Sequence, residues 1–542
     1  MTTPVLVVGA GPVGLVAAAR LTRLGVPTRL VDELPAPSPF SKAVVVHART
    51  LEMLEAMGIA GPFIDAGVRI TTAEVRSGGK VLVRFALDDV ASRYPFMLDL
   101  PQDSSEAILA QHLVDVGGRV DRGVRLAGLV AGDDEVDVTL EHADGRTEHA
   151  TVGWVIGCDG GHSTVRDAVG TKLKGSFHGV TFLLADVEVD WELDHETTTM
   201  FLHPAGVSAV FPLPGTRARM YIQLEDERPH GSEPTLEQLQ AAVVERIDAR
   251  AVVRDPHWLT YFEVHHGQVP AYRFGRVFLA GDAAHIHSPA GGQGMNTGMQ
   301  DAYNLAWKLA LVCHGRAAPQ LLDSYGAERH PVGARVVKGT SLLTEVGTAA
   351  NPALRLVRDG LMTVVGRVPV ATKRMASAVT EATIGYTESA IVGEAVRHPP
   401  GHQGHDHRIE AGEHAPDVEG LGHADGATVR LAEVLDDTRH TALLIVSQGD
   451  GDTAVRDRLV RRLKEDQGEL LKCGLVLRQA ELTDPAWDQV LIDPKGAVGE
   501  SYGTRSDMLV VVRPDGYVGF VAIPPDAAAV DHYFKVVLDA HP

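Results

Sequence analysis

A glycine-rich segment near the N-terminus constrains the fold more than any other part of the chain. The apolar run VLVV is followed by Gly9, Gly11 and Gly14 in the spacing G-x-G-x-x-G, and the sequence then continues as an alanine-rich helix. Such glycines permit a tight turn, the approach of backbone N–H groups to a pyrophosphate, and close packing of the helix on the sheet. A second apolar strand ends in Asp32 and Glu33, which can bind a ribose hydroxyl. The segment therefore predicts a dinucleotide-binding βαβ unit.

Composition limits the partners and the cellular setting. The 542 residues carry a formal net charge of −21, which opposes binding to nucleic acid and to anionic membrane surfaces. No apolar run approaches the ~18 residues of a membrane-spanning helix. Cys158, Cys313 and Cys473 are far apart and form no C-x-x-C pair, so we expect neither disulfides nor a zinc site. These features predict a cytoplasmic protein that binds neither nucleic acid nor membrane.

Changes in the sequence pattern divide the chain into predicted regions. Strands and helices alternate in two separated blocks, which together form a discontinuous dinucleotide-binding domain. Between them lie short strands broken by proline and glycine, typical of an antiparallel sheet. The regions are 1–175 with 270–345 for the dinucleotide-binding domain, 176–269 for the sheet domain, 346–396 for a helical segment, 397–414 for a linker and 415–542 for a separate α/β domain.

A histidine-rich stretch overlaps the predicted linker. This segment is rich in proline and glycine, and it has no fixed framework, cysteine or helical spacing that could organise imidazoles around an ion. We therefore expect no metal site. The histidines are His398, His402, His405, His407 and His414.

Three motifs together carry a family resemblance. They are GAGPVG at the N-terminus, CDGGHSTVR at 158–166 and LAGDAAHIHSPAGGQGMN at 279–296. In combination they resemble the class A flavoprotein monooxygenases, whose NAD(P)H-dependent aromatic hydroxylases share the p-hydroxybenzoate hydroxylase fold. The resemblance spans roughly residues 4–345 and includes LLDSYGAERHP at 321–331. It implies an α/β fold with a Rossmann-type FAD-binding domain and an antiparallel-sheet substrate domain.

The C-terminal region resembles the thioredoxin-like domain that many phenol hydroxylases and polyketide-tailoring hydroxylases carry. This second resemblance begins at about Ala415. Cys473 is the only cysteine of the region, and thiol–disulfide exchange catalysis normally needs a second, resolving thiol. We therefore expect a redox-inert domain with a structural or interfacial role.

The family resemblance implies a set of cofactor-binding residues. The carboxylate of Asp282 would accept hydrogen bonds from the ribityl hydroxyls of FAD. Asp159 matches a motif linked to both FAD and NAD(P)H, although Asp-Gly alone is typical of a turn. Lys42 stands where many relatives have arginine, so it supplies charge without a bidentate fork. The implied residues are Gly9, Gly11, Pro12 and Gly14 at the pyrophosphate, Asp32 and Glu33 at the ribose, Lys42, Arg49, Gln102, Leu126, Asp159 and Asp282 along the cofactor, and Gly292, Gly294, Met295 and Asn296 at the flavin ring.

The glycine loop and one histidine supply the candidate catalytic residues, which are His47, Pro289 and Gly292. Gly292 lets the backbone approach a flat ring, and the helix opening near Asn296 would direct N–H groups at the flavin pyrimidine oxygen, which stabilises negative charge. His47 is the only titratable group in the strand AVVVH. Its ring either orients a phenolate or has its hydrogen bonds satisfied at the strand end, and the sequence does not decide between these interpretations.

The sheet at 197–224 is expected to roof the substrate pocket. Its apolar side chains are candidate substrate contacts, although most residues of such strands belong to a core. The candidates, together with one residue of the glycine loop, are Met200, Leu202, Phe211, Met220 and Pro289.

The resemblance implies an oxygenase. NAD(P)H would reduce FAD, O2 would add to the flavin as a C4a-hydroperoxide, and one oxygen atom would reach a phenolic or polycyclic, polyketide-like aromatic of antibiotic biosynthesis while the other leaves as water. One alternative keeps the cofactor but predicts Baeyer–Villiger oxidation or epoxidation. A second alternative is a non-catalytic flavin-binding interaction protein. A monomer and a homodimer are both compatible with the sequence.

Overall fold

Helices and strands of the chain divide into two units of mixed α/β structure. The computed structural model describes residues 5–88, 90–224, 232–288, 291–347, 352–397, 408–423, 426–447, 453–481 and 483–538. The first unit comprises Met1–Tyr303 and Arg329–Thr383, and the second comprises Asn304–Glu328 and Ile384–Pro542. Each unit is therefore assembled from two separated stretches of sequence.

The glycine-rich segment forms the strand, turn and helix that its sequence predicts. Strand Val5–Val8 is buried, and helix Pro12–Arg23 begins directly after Gly11 with proline in its first turn, where a missing N–H costs nothing. The strand lies between two parallel neighbours, which places it centrally in a six-stranded sheet. The strands of this sheet, in spatial order, are Arg273–Phe274, Val277–Leu279, Trp154–Gly157, Val5–Val8, Thr28–Asp32 and Val120–Arg122.

A larger, eight-stranded sheet in the first unit extends beyond the region 176–269 at both edges. Its pairs are antiparallel except for Thr197–His203 and Thr72–Ser77, which are parallel. Successive side chains point to opposite faces of a strand, so Met220 and Tyr221 enter different cores. The strands in spatial order are His285–Ile286, Val252–Gln268, Lys174–Asp190, Arg217–Gln223, Gly206–Pro212, Thr197–His203, Thr72–Ser77 and Lys80–Ala86.

Two small sheets and a set of helices complete the chain up to residue 379. The antiparallel sheets are Val124–Ala131 with Val136–His142 and Thr147–Val152, and Val45–Val46 with Met97–Asp99 and Val68–Ile70. The remaining helices are Ala48–Ala56, Ala60–Ala66, Gln102–Asp115, Thr164–Ala168, Leu236–Arg246, Gly294–Cys313, Asp323–Gly347, Pro352–Val365 and Pro369–Val379, with 3-10 turns at Gly281–Ala283 and Pro319–Leu322.

The second unit contains one mixed sheet of eight strands. Its buried core is almost entirely aliphatic. The strands in spatial order are Gly393–Val396, Val518–Ile523, Met508–Val512, His440–Ile445, Leu471–Leu477, Gln489–Ile492, Leu421–His423 and Thr428–Val429. Its helices are Leu431–Val434, Thr453–Gln467, Ala497–Ser501 and Ala527–Leu538, with a 3-10 turn at Gly468–Leu470.

A cluster of ionisable side chains is buried in this second unit. The guanidinium of Arg513 and the ammonium of Lys308 each donate to Glu328 at 2.7 Å, and Arg513 also pairs with Asp515. Burial alone would raise the pKa of Glu328, but the charges of Arg513 and Lys308 hold it below its usual range. The four charges cancel, so the cluster is a compensated buried network.

The structure describes the predicted linker only in part. His398, His402, His405 and His407 lie outside the described residues, and the His414 ring packs edge-on against Tyr517 with ring centres 5.2 Å apart. Across the described ranges, no group of three or more His, Cys, Asp or Glu side chains is placed to hold a metal ion. In the same ranges, every helix is too short or too polar to cross a membrane.

Candidate active site

A cavity of about 570 Å³ in the first unit collects most of the predicted cofactor residues. It runs from the turn at the glycine fingerprint to the glycine loop that precedes helix Gly294–Cys313. The predicted residues that line it are Gly9, Gly11, Pro12, Asp32, Glu33, Lys42, Gln102, Leu126, Asp159, Phe211, Asp282, Gly292, Gly294 and Met295.

The three fingerprint glycines are required for different reasons. A Cβ on Gly9 would lie 2.5 Å from the carbonyl oxygen of Cys158, and a Cβ on Gly14 would lie 1.8 Å from the carbonyl oxygen of Gly9. A Cβ on Gly11 would meet no protein atom within 4 Å, because Gly11 faces the cavity. Packing within the protein therefore explains Gly9 and Gly14, whereas the open space at Gly11 fits a pyrophosphate that approaches the backbone.

At the same end, Asp32 fixes the turn as well as facing the cavity. One carboxylate oxygen accepts from the Ala10 N–H at 2.6 Å, and the other accepts from the Leu34 N–H at 2.9 Å and lies 3.3 Å from Arg122. Glu33 is exposed. Carboxylate oxygens have two lone pairs each, so both residues can accept from ribose hydroxyls.

Gln102 holds the segment that carries Lys42. Its side-chain oxygen accepts from the Ala43 N–H at 3.0 Å, and its amide donates to Glu106 at 2.7 Å. Burial raises the pKa of Glu106, which also lines the cavity. On the other side of this segment, the Tyr221 hydroxyl donates to the Lys42 carbonyl at 3.3 Å. The backbone at Lys42 and Ala43 is thus held by Gln102 and by Tyr221 of the large sheet.

Asp282 lies in the 3-10 turn Gly281–Ala283, and this exposed residue lines the cavity. Desolvation by the surrounding protein raises its pKa, and electrostatic interactions with nearby His285 and Lys42 oppose this effect. A carboxylate that is desolvated by protein yet open to the cavity can gain hydrogen bonds from a polyol ligand.

The glycine loop is clamped to the neighbouring strand by Asn296. The amide of Asn296 donates to the carbonyls of Val45 and Gly292, both at 2.8 Å. Gly292 has φ +63°, and a Cβ there would lie 2.6 Å from the Val45 Cβ. Asn296 itself is buried and does not line the cavity, so it positions the loop, whereas Gly294 and Met295 line the cavity directly.

His47 is a buried residue whose ring supports the same loop. Its Nε2 lies 2.9 Å from the Gly291 carbonyl, and its backbone N–H donates to the side-chain oxygen of Asn296 at 2.8 Å. Burial lowers the pKa of His47 to about 4, so the ring is neutral at pH 7 and donates to this carbonyl. The ring does not line the cavity. The geometry favours a histidine held at the strand end through Nε2 over one that orients a phenolate, and its buried Nδ1 has no hydrogen-bond partner among the described residues.

Two further predicted cofactor residues have protein partners. Arg49 pairs with Glu52, donates to the Ala382 carbonyl at 3.1 Å and does not line the cavity. Asp159 accepts from the Ser163 hydroxyl at 2.5 Å and from the Val165 N–H at 3.0 Å, and burial raises its pKa. Asp159 therefore organises its turn while it lines the cavity.

The opposite end of the cavity is walled by aromatic rings of the large sheet. Tyr221 stands edge-on to Phe211 and to Phe262, with ring centres 5.8 and 5.9 Å apart. The structure places Met220 on the other face of the sheet, because it precedes Tyr221 and strand residues alternate. Met200 and Leu202 do not line the cavity either, and Pro289 lies outside the described residues.

Several cavity residues escaped sequence reasoning. Tyr221 shares the Phe211 face of the sheet only because Phe211 pairs with Arg219 across neighbouring strands, and this register is not evident from the sequence. The additional lining residues with polar or aromatic side chains include Glu106, Arg122, Arg125, Cys158, His162, Thr164, Tyr221, Phe262, His287 and Ser288.

Comparison with known proteins gives the family. Residues 2–340 match the family model described as FAD binding domain. The chain is 34% identical to 6-methylpretetramide 4-monooxygenase of Streptomyces rimosus, over 95% of this chain and 90% of the relative. It is 32% identical to pentachlorophenol 4-monooxygenase of Sphingobium chlorophenolicum, over 95% and 93% of the two chains.

Solved structures agree with these relatives. Anhydrotetracycline hydroxylase from Streptomyces rimosus superposes with a TM-score of 0.76 at 28% identity and covers 100% of both chains. The ternary complex of aklavinone-11 hydroxylase with FAD and aklavinone gives a TM-score of 0.76 at 25% identity and covers 99% of both chains. With a fingerprint and glycine loop that fit FAD, the chain belongs to the class A flavoprotein monooxygenases and is an FAD-dependent enzyme.

Proposed function

We propose that the enzyme uses NAD(P)H and O2 to add one oxygen atom to an electron-rich aromatic ring of a phenolic or polycyclic, polyketide-like substrate. The observation that carries the proposal is one cavity whose lining combines the glycine fingerprint, acidic side chains and the glycine loop with aromatic side chains of the large sheet. Relatives named for 6-methylpretetramide, pentachlorophenol and anhydrotetracycline support this substrate class and a role in antibiotic biosynthesis. When bound, FAD supplies the electron transfer and the activation of O2.

We assign the binding of FAD to residues along the polar part of the cavity. The backbone at Gly11 and the first turn of helix Pro12–Arg23 face the pyrophosphate, and Asp32 and Glu33 face the ribose. Asp282 accepts from the ribityl hydroxyls. Gly292, Gly294 and Met295 form the surface for the ring, and unpaired N–H groups at the helix start stabilise negative charge there. His47 and Asn296 act on this surface as positioning residues.

The aromatic end binds and orients the substrate ring. Its wall presents the ring edges and faces of Phe211, Tyr221 and Phe262. Contacts with such rings favour a flat aromatic substrate over a flexible chain. His287 also lines the cavity, and its Nδ1 donates to the Ser288 carbonyl at 2.9 Å. Burial lowers the pKa of His287 to about 4, so it is neutral at pH 7.

We also propose boundaries for the FAD-binding, substrate and C-terminal domains. Residues 1–175 and 270–345 form the FAD-binding domain, 176–269 supply most of the substrate sheet, and 415–542 form a thioredoxin-like domain. Support for a redox-inert C-terminal domain comes from Cys473, which is buried and whose pKa burial raises to about 12. Its thiol is thus protonated at pH 7 and a poor nucleophile. We propose a cytoplasmic enzyme.

The test is substrate-stimulated NAD(P)H oxidation. The purified enzyme is offered a panel of phenols and polycyclic polyketides, and products are analysed by mass spectrometry and NMR. We expect an accepted aromatic to accelerate flavin reduction in stopped flow and to gain one oxygen atom as a ring hydroxyl. An oxygen inserted into a C–C bond or an epoxide would instead identify Baeyer–Villiger oxidation or epoxidation. FAD binding without NAD(P)H oxidation across the panel would contradict the proposal.

A further inference from the structure

Glu381 is a buried carboxyl group that the proposed function leaves unused. Only 3% of the residue is exposed. The Gln300 amide donates to one carboxyl oxygen at 2.6 Å, and the Thr297 hydroxyl donates to the other at 3.2 Å. Glu381 forms no ion pair with any residue in the described ranges. Its φ of +59° is unusual for a residue with a Cβ, and such strain is retained where surrounding structure over-determines it.

The charged groups around Glu381 are engaged with one another. From helix Gly294–Cys313, Asp301 accepts from Arg329 at 2.7 Å and contacts His285 at 2.8 Å. From helix Ala48–Ala56, Arg49 pairs with Glu52 and also donates to the carbonyl of Ala382, next to Glu381. The nearby cations thus have carboxylate partners of their own.

Isolation from countercharge makes this carboxyl titratable near neutrality. Burial raises the pKa of Glu381 to about 7, while the charge of Arg329 and the two hydrogen bonds oppose the increase. Glu328 in the second unit is equally buried but touches Arg513 and Lys308, and its pKa is lowered. The difference lies in the direct cationic partners that Glu328 has and Glu381 lacks.

Glu381 is connected to the surface that we assign to the flavin ring. Thr297 belongs to the first turn of helix Gly294–Cys313 and directly follows Asn296, which clamps Val45 and Gly292. Negative charge added at the ring and negative charge on Glu381 would therefore lie near the same helical turn. Like charges in a low-dielectric interior disfavour one another.

We propose that Glu381 takes up a proton from solvent when the flavin is reduced and releases it on reoxidation. The inference rests on the proposed function for the position of the ring. Two electrons add negative charge at the ring, and the Glu381 carboxylate becomes a neutral carboxylic acid by binding one proton. Glu381 contacts neither substrate nor ring, so it acts on the flavin through its charge alone. Its protonation state sets how easily the ring is reduced.

The sign of the effect follows from linkage. Reduction favours the protonated form, so the Glu381 pKa is higher in reduced enzyme than in oxidised enzyme. Well below both values Glu381 is neutral in both states and has no effect on the midpoint potential. Well above them it is ionised in both states and opposes reduction. Between the two values the potential falls more steeply with pH than the flavin alone requires.

The test compares midpoint potentials of FAD-loaded wild type, Glu381→Gln and Glu52→Gln at about pH 5.5 and about pH 8.5, on either side of neutrality. Glu381→Gln should match wild type at the lower pH and be more positive at the higher pH. Glu52 is ion-paired to Arg49, so its replacement should shift the potential by the same amount at both values. Coincidence of Glu381→Gln with wild type at about pH 8.5 would overturn the proposal.

Infrared spectroscopy supplies a readout that needs no turnover. The carbonyl stretch of a protonated carboxyl should disappear as the pH of wild-type apoprotein rises through neutrality, and Glu381→Gln should lack this band. In Thr297→Val the transition should move to higher pH, because one hydrogen bond to the carboxylate is lost. If wild type shows no such titration, the proposal fails even where Glu381→Gln does not fold. Failure of the protein to bind FAD would refute the proposed function and leave the infrared titration unaffected.

Discussion

The two ends of the cavity are built from different kinds of residue. At the cofactor end, single atoms decide the shape: Gly11 has open space where a side chain would lie, and Asp282 places a carboxylate in the cavity. At the aromatic end, the wall is formed jointly by three packed rings, Phe211, Tyr221 and Phe262. The cofactor end is therefore expected to depend on individual residues, whereas the aromatic end tolerates replacements that conserve volume and apolar character.

The largest expected effect is loss of FAD from Gly11→Val. The Cβ of the new side chain would meet no protein atom within 4 Å, but the side chain would occupy the approach to the pyrophosphate. We expect normal thermal stability and no bound FAD in the absorbance spectrum. Gly128→Val is the matched control, because a Cβ at Gly128 also meets no atom within 4 Å but Gly128 does not line the cavity. Stoichiometric FAD in Gly11→Val would show that the pyrophosphate is placed wrongly.

The glycine loop should give the next largest effect. Alanine at Gly292 requires a φ of +63° and a Cβ 2.6 Å from that of Val45, whereas alanine at Gly291 also requires a positive φ, of +88°, but its Cβ has no neighbour closer than 3.9 Å. Left-handed strain costs about 1–3 kcal/mol. We expect Gly292→Ala to lower the melting temperature further than Gly291→Ala, and to release more peroxide per NAD(P)H consumed. Equal stability and equal peroxide yield in the two variants would exclude packing against Val45 as the reason for glycine.

Glycine spacing encodes backbone geometry directly, so the strand, turn and helix at the fingerprint could be predicted from the sequence. The fingerprint predicts the turn after Val5–Val8, and the Gly-Asp pair predicts a carboxylate at Asp282, both from adjacent letters. The aromatic end has no such code. Whether Met220 or Tyr221 faces the cavity depends on which face of the sheet is buried against which partner, and both faces here are buried.

The properties of His47 and Glu381 depend on contacts between residues that are distant in sequence. His47 is isolated in sequence from Gly291, yet the two are joined by a hydrogen bond that determines what the ring can do. Glu381 carries no motif, and the role that we propose for it depends on its burial without an ion-pair partner among the described residues. Local sequence patterns therefore identify residues that shape the backbone. The protonation state of a side chain can be predicted only when its three-dimensional surroundings are known.

A smaller effect is expected at Asp282. Removal of a charged acceptor typically costs ~1.5–3 kcal/mol, so Asp282→Ala should weaken FAD binding by roughly 10- to 150-fold. Asp282→Asn retains a carbonyl acceptor without the charge and should fall between alanine and wild type. Isothermal titration of apoprotein with FAD measures all three. Wild-type affinity and turnover in Asp282→Ala would contradict the assignment to the ribityl chain.

The smallest expected effect is at the aromatic wall and tests whether it acts collectively. Phe262→Leu removes one edge-to-face contact with Tyr221, typically worth about 0.5–1.5 kcal/mol, while most of the apolar surface remains. We expect a few-fold rise in the dissociation constant of an accepted aromatic and unchanged FAD affinity. Met220→Leu changes the opposite face and should leave substrate affinity unaltered while it lowers stability slightly. Because Met220 and Tyr221 are neighbours in sequence, a substrate effect in Met220→Leu equal to that in Phe262→Leu would mean that the substrate lies on the other side of the sheet.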